Sequence, residues 1–242
     1  MNPPSIEQSC VAIFGGTFDP FTIAHREICR VAIDRLPIDM LYVIPTVVDY
    51  HREGKKRWLR DGERVMFAHR MLWTLGHKYL GGWKIDNHEV KLKTICELTD
   101  ERKGSNLCEA IVAKRRFLHT LLDFKCRTDM FTKYERERPN PLQIILILGA
   151  DSLKNLPTWY KWREVCANIN AIAIVNGRDG EMVEVPKEVK AAVPEIINLK
   201  LPDAELLNVS ASNVREQFRD KGLEPYFEFV MEYDRGHKEK DK

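Results

Sequence analysis

Three short stretches of this sequence concentrate residues able to handle a phosphate or a nucleoside. In GGTFDPFTIAH, Gly15 to His25, two glycines, an Asp-Pro and a histidine lie between the apolar run Val11–Phe14 and a helical-looking segment. Glycine lets a backbone approach an anion closely, and the first N–H groups of a following helix have no partners within it. On that reading His25 is a charged donor. The same residues suit a tight strand-to-helix turn whose Asp-Pro stops the strand and whose histidine caps or packs, and taken alone the stretch favours the turn.

GADSLKNLPTWYKW, Gly149 to Trp162, places Gly149 and Asp151 after an apolar run, where a carboxylate can accept the hydroxyls of a ribose. Trp159 and Trp162 fall on one side of a helical turn and could hold a flat ring. The competing roles are a helix cap for Asp151 and core anchors for the tryptophans; Trp162 reads as the anchor. In NVSASNVREQF, Asn208 to Phe218, the N-cap types Ser210, Ser212 and Asn213 precede Arg215 by at most five residues. A helix start bearing hydroxyls and an arginine can bind an anion.

Near-continuous apolar runs at Val11–Phe14, Met40–Ile44, Ile144–Leu148, Ala171–Val175 and Ile196–Leu201 suit strands buried on both faces. Helical spacing at Ile23–Leu36, Gly62–Leu75, Cys108–Phe124 and Ser212–Asp220 supplies covering helices. The expected class is therefore α/β, a doubly wound parallel sheet. Right-handed crossovers bring the loops at Gly15–Phe21, Pro45–Lys56 and Gly149–Trp159 to one carboxyl edge, where such folds bind ligands. Three clusters on one edge carry more weight than any single glycine motif.

Composition bounds the function. With 44% hydrophobic and 31% charged residues, the 242-residue chain can bury a sizeable core, and it reads as a single domain over 1–242. A net charge of +2, from 38 basic and 36 acidic residues, gives no overall field favouring nucleic acid or a membrane, so neither is expected as a partner. No apolar run approaches a bilayer span, the first ten residues lack a signal-peptide pattern, and a cytoplasmic location is expected. Six cysteines without a C-x-x-C argue against zinc and disulfides, and several belong in the core. The charged stretch Lys91–Pro141 reads as an insertion, and Arg235–Lys242 as a frayed tail.

GGTFDPFTIAH resembles the GGTFDPxHxGH signature of the nucleotidyltransferase superfamily, and VSASNVR resembles its ISSTxxR signature. GADSLKNLPTW is similar to a segment that nicotinate-nucleotide adenylyltransferases carry between them, and IPT at Ile44–Thr46 and Glu63-Arg64 with Met66 extend the likeness. The resemblance implies a Rossmann-like fold and attack by the phosphate of nicotinate mononucleotide on the α-phosphate of ATP, giving nicotinate adenine dinucleotide and pyrophosphate without a covalent intermediate. It implies that Gly15, Gly16, Thr17 and Phe18 approach the phosphates, and that His25, Thr22, Arg215 and Lys55 or Lys56 serve catalysis. Ser210, Ser212 and Asn213 would hold the triphosphate, and Gly149 with Asp151 the nucleoside. Asn176 and Arg178 could reach the adenosine. Thr46, Asp49, Arg64, His119, Thr120 and Trp159 fall in the acceptor pocket, with Trp159 stacking on the pyridine. Magnesium would arrive on ATP, with no protein-built metal site.

Thr22 and Ala24 depart from the signature, which has histidine and glycine there. A threonine hydroxyl can donate one hydrogen bond but carries no charge. Alternatives are a nicotinamide mononucleotide or phosphopantetheine adenylyltransferase, and a nucleotide-binding regulator without turnover. A dinucleotide-binding dehydrogenase is disfavoured because no G-x-G-x-x-G follows the first strand.

Overall fold

A computed structural model of the chain describes residues 9–46, 58–87, 117–134, 142–175, 183–201 and 209–238. Strands β1 (Cys10–Gly16), β2 (Met40–Pro45), β3 (Trp83–Ile85), β4 (Gln143–Leu148), β5 (Ala171–Val175) and β6 (Glu195–Leu199) form one sheet in the order β3-β2-β1-β4-β5-β6. Every neighbouring pair is parallel, with Phe14 opposite Val43 on one side and Ile147 on the other. The order reverses between β1 and β4, and the crevice at that switch point is where such sheets bind ligands. The fold is the expected doubly wound α/β type.

Because strand side chains alternate between faces, each apolar run feeds two cores. Ala12, Phe14, Leu41, Val43, Ile145 and Ile147 face one layer, formed by helices α1 (Ile23–Arg35), α2 (Asp61–Trp73) and the later C-terminal helix. Val11, Ile13, Ile44, Ile144, Leu146 and Leu148 face the other, which contains α3 (Phe117–Tyr134). Leu118, Leu121 and Phe124 of α3 are buried there, so this part of the charged stretch contributes core. The chain continues through short α4 (Ala150–Asn155), α5 (Trp162–Ala167) and α6 (Lys187–Ala192) to α7 (Ala211–Phe218) and α8 (Leu223–Lys238).

Two differences from the sequence reading concern elements with weak patterns. Strand β3 has three residues with Lys84 exposed, too short to show as an apolar run. Arg235–Lys238 belongs to α8 rather than to a tail, because Tyr226 and Val230 anchor that helix with no exposed surface. Cys10, Cys29 and Cys166 are buried free thiols, as expected. Among the described residues no helix is long and apolar enough to cross a membrane.

Candidate active site

The turn from β1 into α1 is built on aromatic packing. Phe18 takes a left-handed φ of 50°, and its ring folds back so that a Cβ on Gly16 would lie 2.6 Å from it. A Cβ on Gly15 would meet the Phe117 ring at 3.2 Å. The two glycines are thus required first by neighbouring rings, a role that residue type alone does not reveal. Asp19, 1% exposed, accepts the N–H groups of Trp58 (3.1 Å) and Leu59 (2.8 Å), tying the turn to the segment that precedes α2.

Thr22 and His25 close the first turn of α1 on itself. The Thr22 hydroxyl accepts the His25 N–H at 3.4 Å, and His25 Nδ1 accepts the Thr22 N–H at 2.8 Å. This is a reciprocal capping box with histidine at the position usually held by glutamate or glutamine. Thr22 has no exposed surface, so its hydroxyl serves the helix start. Because Nδ1 accepts, the proton of the neutral ring is on Nε2, which is therefore a donor. Phe18 and Phe21 wall the ring, with centroids at 5.2 and 5.4 Å, and burial pushes its pKa down to about 4. The expected charged donor is thus a neutral one in the free protein, because desolvation disfavours the charged form of the ring.

Arg64, expected in the acceptor pocket, is a buried strut. Its guanidinium donates to the carbonyls of Thr17 and of Thr46, the latter at 3.0 Å, and pairs with Asp61 at 2.5 Å. Those contacts join the loops after β1 and β2, and Arg64 has no exposed side chain with which to meet a ligand. The Thr46 N–H also donates to the Gly16 carbonyl at 2.9 Å. Arg215 on α7 reaches the same turn, donating to the Asp19 carbonyl and, at 3.0 Å, to the Ser212 hydroxyl. Ser210 caps α7 by accepting the Asn213 N–H at 3.1 Å.

One ring pair stands beside the turn through Phe117, and a second lies further along α3. Half-buried Trp159 lies 5.2 Å from Phe117, and exposed His119 lies 5.8 Å from Tyr160. Phe117 was not singled out from sequence; its only signal is its place one helical turn before Leu121 on the buried stripe of α3. Thr120 is buried, on a different side of α3 from exposed His119, so the two do not line a common surface. Trp162 is buried as a core anchor. Gly149, not Asp151, occupies the N-cap of α4, leaving Asp151 exposed in the first turn. Asp49, Lys55, Lys56, Asn176 and Arg178 lie outside the described residues.

The arrangement joins a sealed turn, a neutral imidazole donor, an arginine and a ring pair at the switch point of the sheet. Comparison with known proteins fits that picture. A family model for cytidylyltransferase-like proteins matches residues 13–217. A Methylibium petroleiphilum protein named probable nicotinate-nucleotide adenylyltransferase is 26% identical over 208 residues, covering 86% of this chain and 78% of its own length. A Pseudothermotoga lettingae protein of the same name is 25% identical over 212 residues, covering 87% and 86%. Among solved structures, Plasmodium falciparum nicotinic acid mononucleotide adenylyltransferase complexed with NaAD shares the fold, with a TM-score of 0.55, 15% identity and coverage of 94% of this chain and 97% of that one.

Proposed function

The chain belongs to the cytidylyltransferase-like family, and from that premise we propose that it transfers the adenylyl group of ATP to nicotinate mononucleotide. An oxygen of the mononucleotide phosphate attacks the α-phosphorus of ATP, the bond to the bridging oxygen of the β-phosphate breaks, and pyrophosphate leaves with that electron pair. The products are nicotinate adenine dinucleotide and pyrophosphate. Such in-line transfer needs positioning and charge stabilisation more than covalent chemistry.

The observation that carries this reading is the Phe117–Trp159 ring pair set directly against Gly15 of the turn. A flat heterocycle held there would have its own phosphate beside the start of α1. Gly15 to Phe18 shape the turn, and Nε2–H of His25 donates to the triphosphate. Since His25 is neutral, positive charge must come from Arg215, which stabilises the leaving pyrophosphate, and from Lys55 or Lys56. Ser210, Ser212 and Asn213 add hydrogen bonds at α7, while Asp151 beside Gly149 accepts from the ribose of ATP. Thr46 and His119 border the acceptor. Magnesium enters as part of the ATP substrate, bound through its phosphates and waters, and the buried Asp19 carboxylate is held by two N–H groups.

The test is pyrophosphate release with ATP and each acceptor in turn. Nicotinate mononucleotide should be used at least about tenfold more efficiently than the nicotinamide form, roughly 1.4 kcal/mol of discrimination. Equal kcat/KM for the two overturns the acid preference. Turnover with phosphopantetheine alone, or with no acceptor, overturns the proposal.

A further inference from the structure

The family match ends at residue 217, and α8 begins beyond it at Leu223, yet α8 grips the first turn of α1. Ile23 opens α1, and its N–H, which a helix leaves without an internal partner, donates to the Tyr226 hydroxyl at 2.9 Å across 203 residues of sequence. Tyr226 has no exposed surface. One turn further on, Arg26, 3% exposed, donates both terminal nitrogens to Asp234 of α8, at 2.7 and 2.6 Å. The same guanidinium holds Thr74 at 2.9 Å and Glu27 at 3.0 Å.

One of these contacts falls inside the capping box, at Ile23, and the other directly after it, at Arg26. The box joins Thr22, just before Ile23, to His25, just before Arg26, and their mutual hydrogen bonds set the tautomer of the imidazole and the direction of Nε2–H. A buried N–H left without an acceptor is unfavourable enough to distort the turn that carries it. We propose that Tyr226 is a positioning residue for His25: by accepting the Ile23 N–H it fixes the start of α1, and so the aim of the imidazole donor. The kinetic part of this claim rests on the adenylyl-transfer reading; the structural part does not.

Tyr226→Phe keeps the ring and removes only the acceptor. Its control is Val230→Ala, one turn along the same buried stripe of α8, which removes packing and leaves the hydrogen bond. In the ligand-free protein, ¹⁵N spectra of the imidazole report whether Nδ1 is a hydrogen-bond acceptor. Tyr226→Phe should shift or broaden the His25 Nδ1 resonance and lower kcat about tenfold, with KM for the mononucleotide unchanged. Val230→Ala should lower Tm at least as far while leaving the His25 spectrum and kcat as in wild type. An unchanged His25 spectrum in Tyr226→Phe overturns the proposal whatever happens to kcat, since it makes Tyr226 a packing residue. A shifted spectrum with wild-type kcat overturns its catalytic half. If the wild-type protein releases no pyrophosphate with any acceptor, the function reading fails, and the spectra still decide whether Tyr226 positions His25.

Discussion

Two helix starts act on the glycine turn, α1 directly and α7 through Arg215, and they are built differently. At α1 the chain itself uses two of the helix's first N–H groups: the Ile23 N–H goes to Tyr226 and the His25 N–H to Thr22, and the cap has no exposed surface. At α7 the cap Ser210 is partly exposed, with its hydroxyl accepting the Asn213 N–H and its carbonyl the Val214 N–H, while Arg215 reaches back to the turn. A sealed helix start can act on a ligand chiefly through a side chain held rigidly by its cap. An open one can offer backbone dipoles and a full positive charge. The first supplies aim and the second supplies charge.

The sharpest way to break this contrast is at His25. His25→Ala should lower kcat by roughly 10²–10³, as expected on losing one preorganised donor. His25→Gln keeps a side-chain acceptor for the capping box, and should hold Tm near wild type while still losing most of kcat. Near-normal turnover in both would reduce His25 to a cap and leave α1 with no catalytic side chain.

At the open start, Arg215→Ala should weaken kcat/KM for ATP by about 2–3 kcal/mol, since a charged hydrogen bond and the tie to the Asp19 carbonyl go together. Arg215→Lys should recover part of this as a point charge without the planar fork. If kinetics with Arg215→Ala match wild type, charge is supplied elsewhere.

A third measurement reads the sealing itself. His25 has its pKa lowered by burial to about 4 from an ordinary 6.5, so the unfolded chain takes up this proton first as pH falls. Above 6.5 both states are neutral and the group contributes nothing to pH dependence. Between 6.5 and about 4 stability should decline by roughly 2 kcal/mol, allowing for partial exposure of the ring. Urea unfolding of wild type against His25→Gln isolates the effect, and parallel curves for the two over this window would contradict a neutral, desolvated imidazole.

The smallest expected effect is at Thr22. As a cap, Thr22→Val should cost about 1 kcal/mol of stability, with activity falling in parallel, and Thr22→Ser should stay near wild type. Loss of kcat/KM for ATP at unchanged Tm would instead turn the hydroxyl toward the ligand.

The apolar runs and their spacing specified much of this molecule in advance. Unbroken stretches such as Ile144–Leu148 can be satisfied only between two helical layers, so a parallel sheet, its layering and the clustering of Gly15–His25 and Gly149–Trp159 at one edge follow from local pattern. The short edge strand Trp83–Ile85 escaped this logic because three residues with an exposed lysine carry no periodic signal.

What the residues do inside that frame is another matter, because partners distant in sequence decide it. Gly15 and Gly16 are legible as glycines, but the rings of Phe117 and Phe18 that demand them appear only on folding. Arg64 reads as a binding residue until its guanidinium is seen holding the carbonyls of Thr17 and Thr46. Likewise His25 reads as a cation, whereas enclosure by phenylalanines makes it neutral, and Tyr226 becomes relevant to it across 203 residues. Sequence determined the elements and the edge on which chemistry gathers, since hydrophobic periodicity is local. Tertiary structure decided charge state, tautomer and which polar groups remain free, since desolvation and hydrogen-bond satisfaction depend on everything packed around a group.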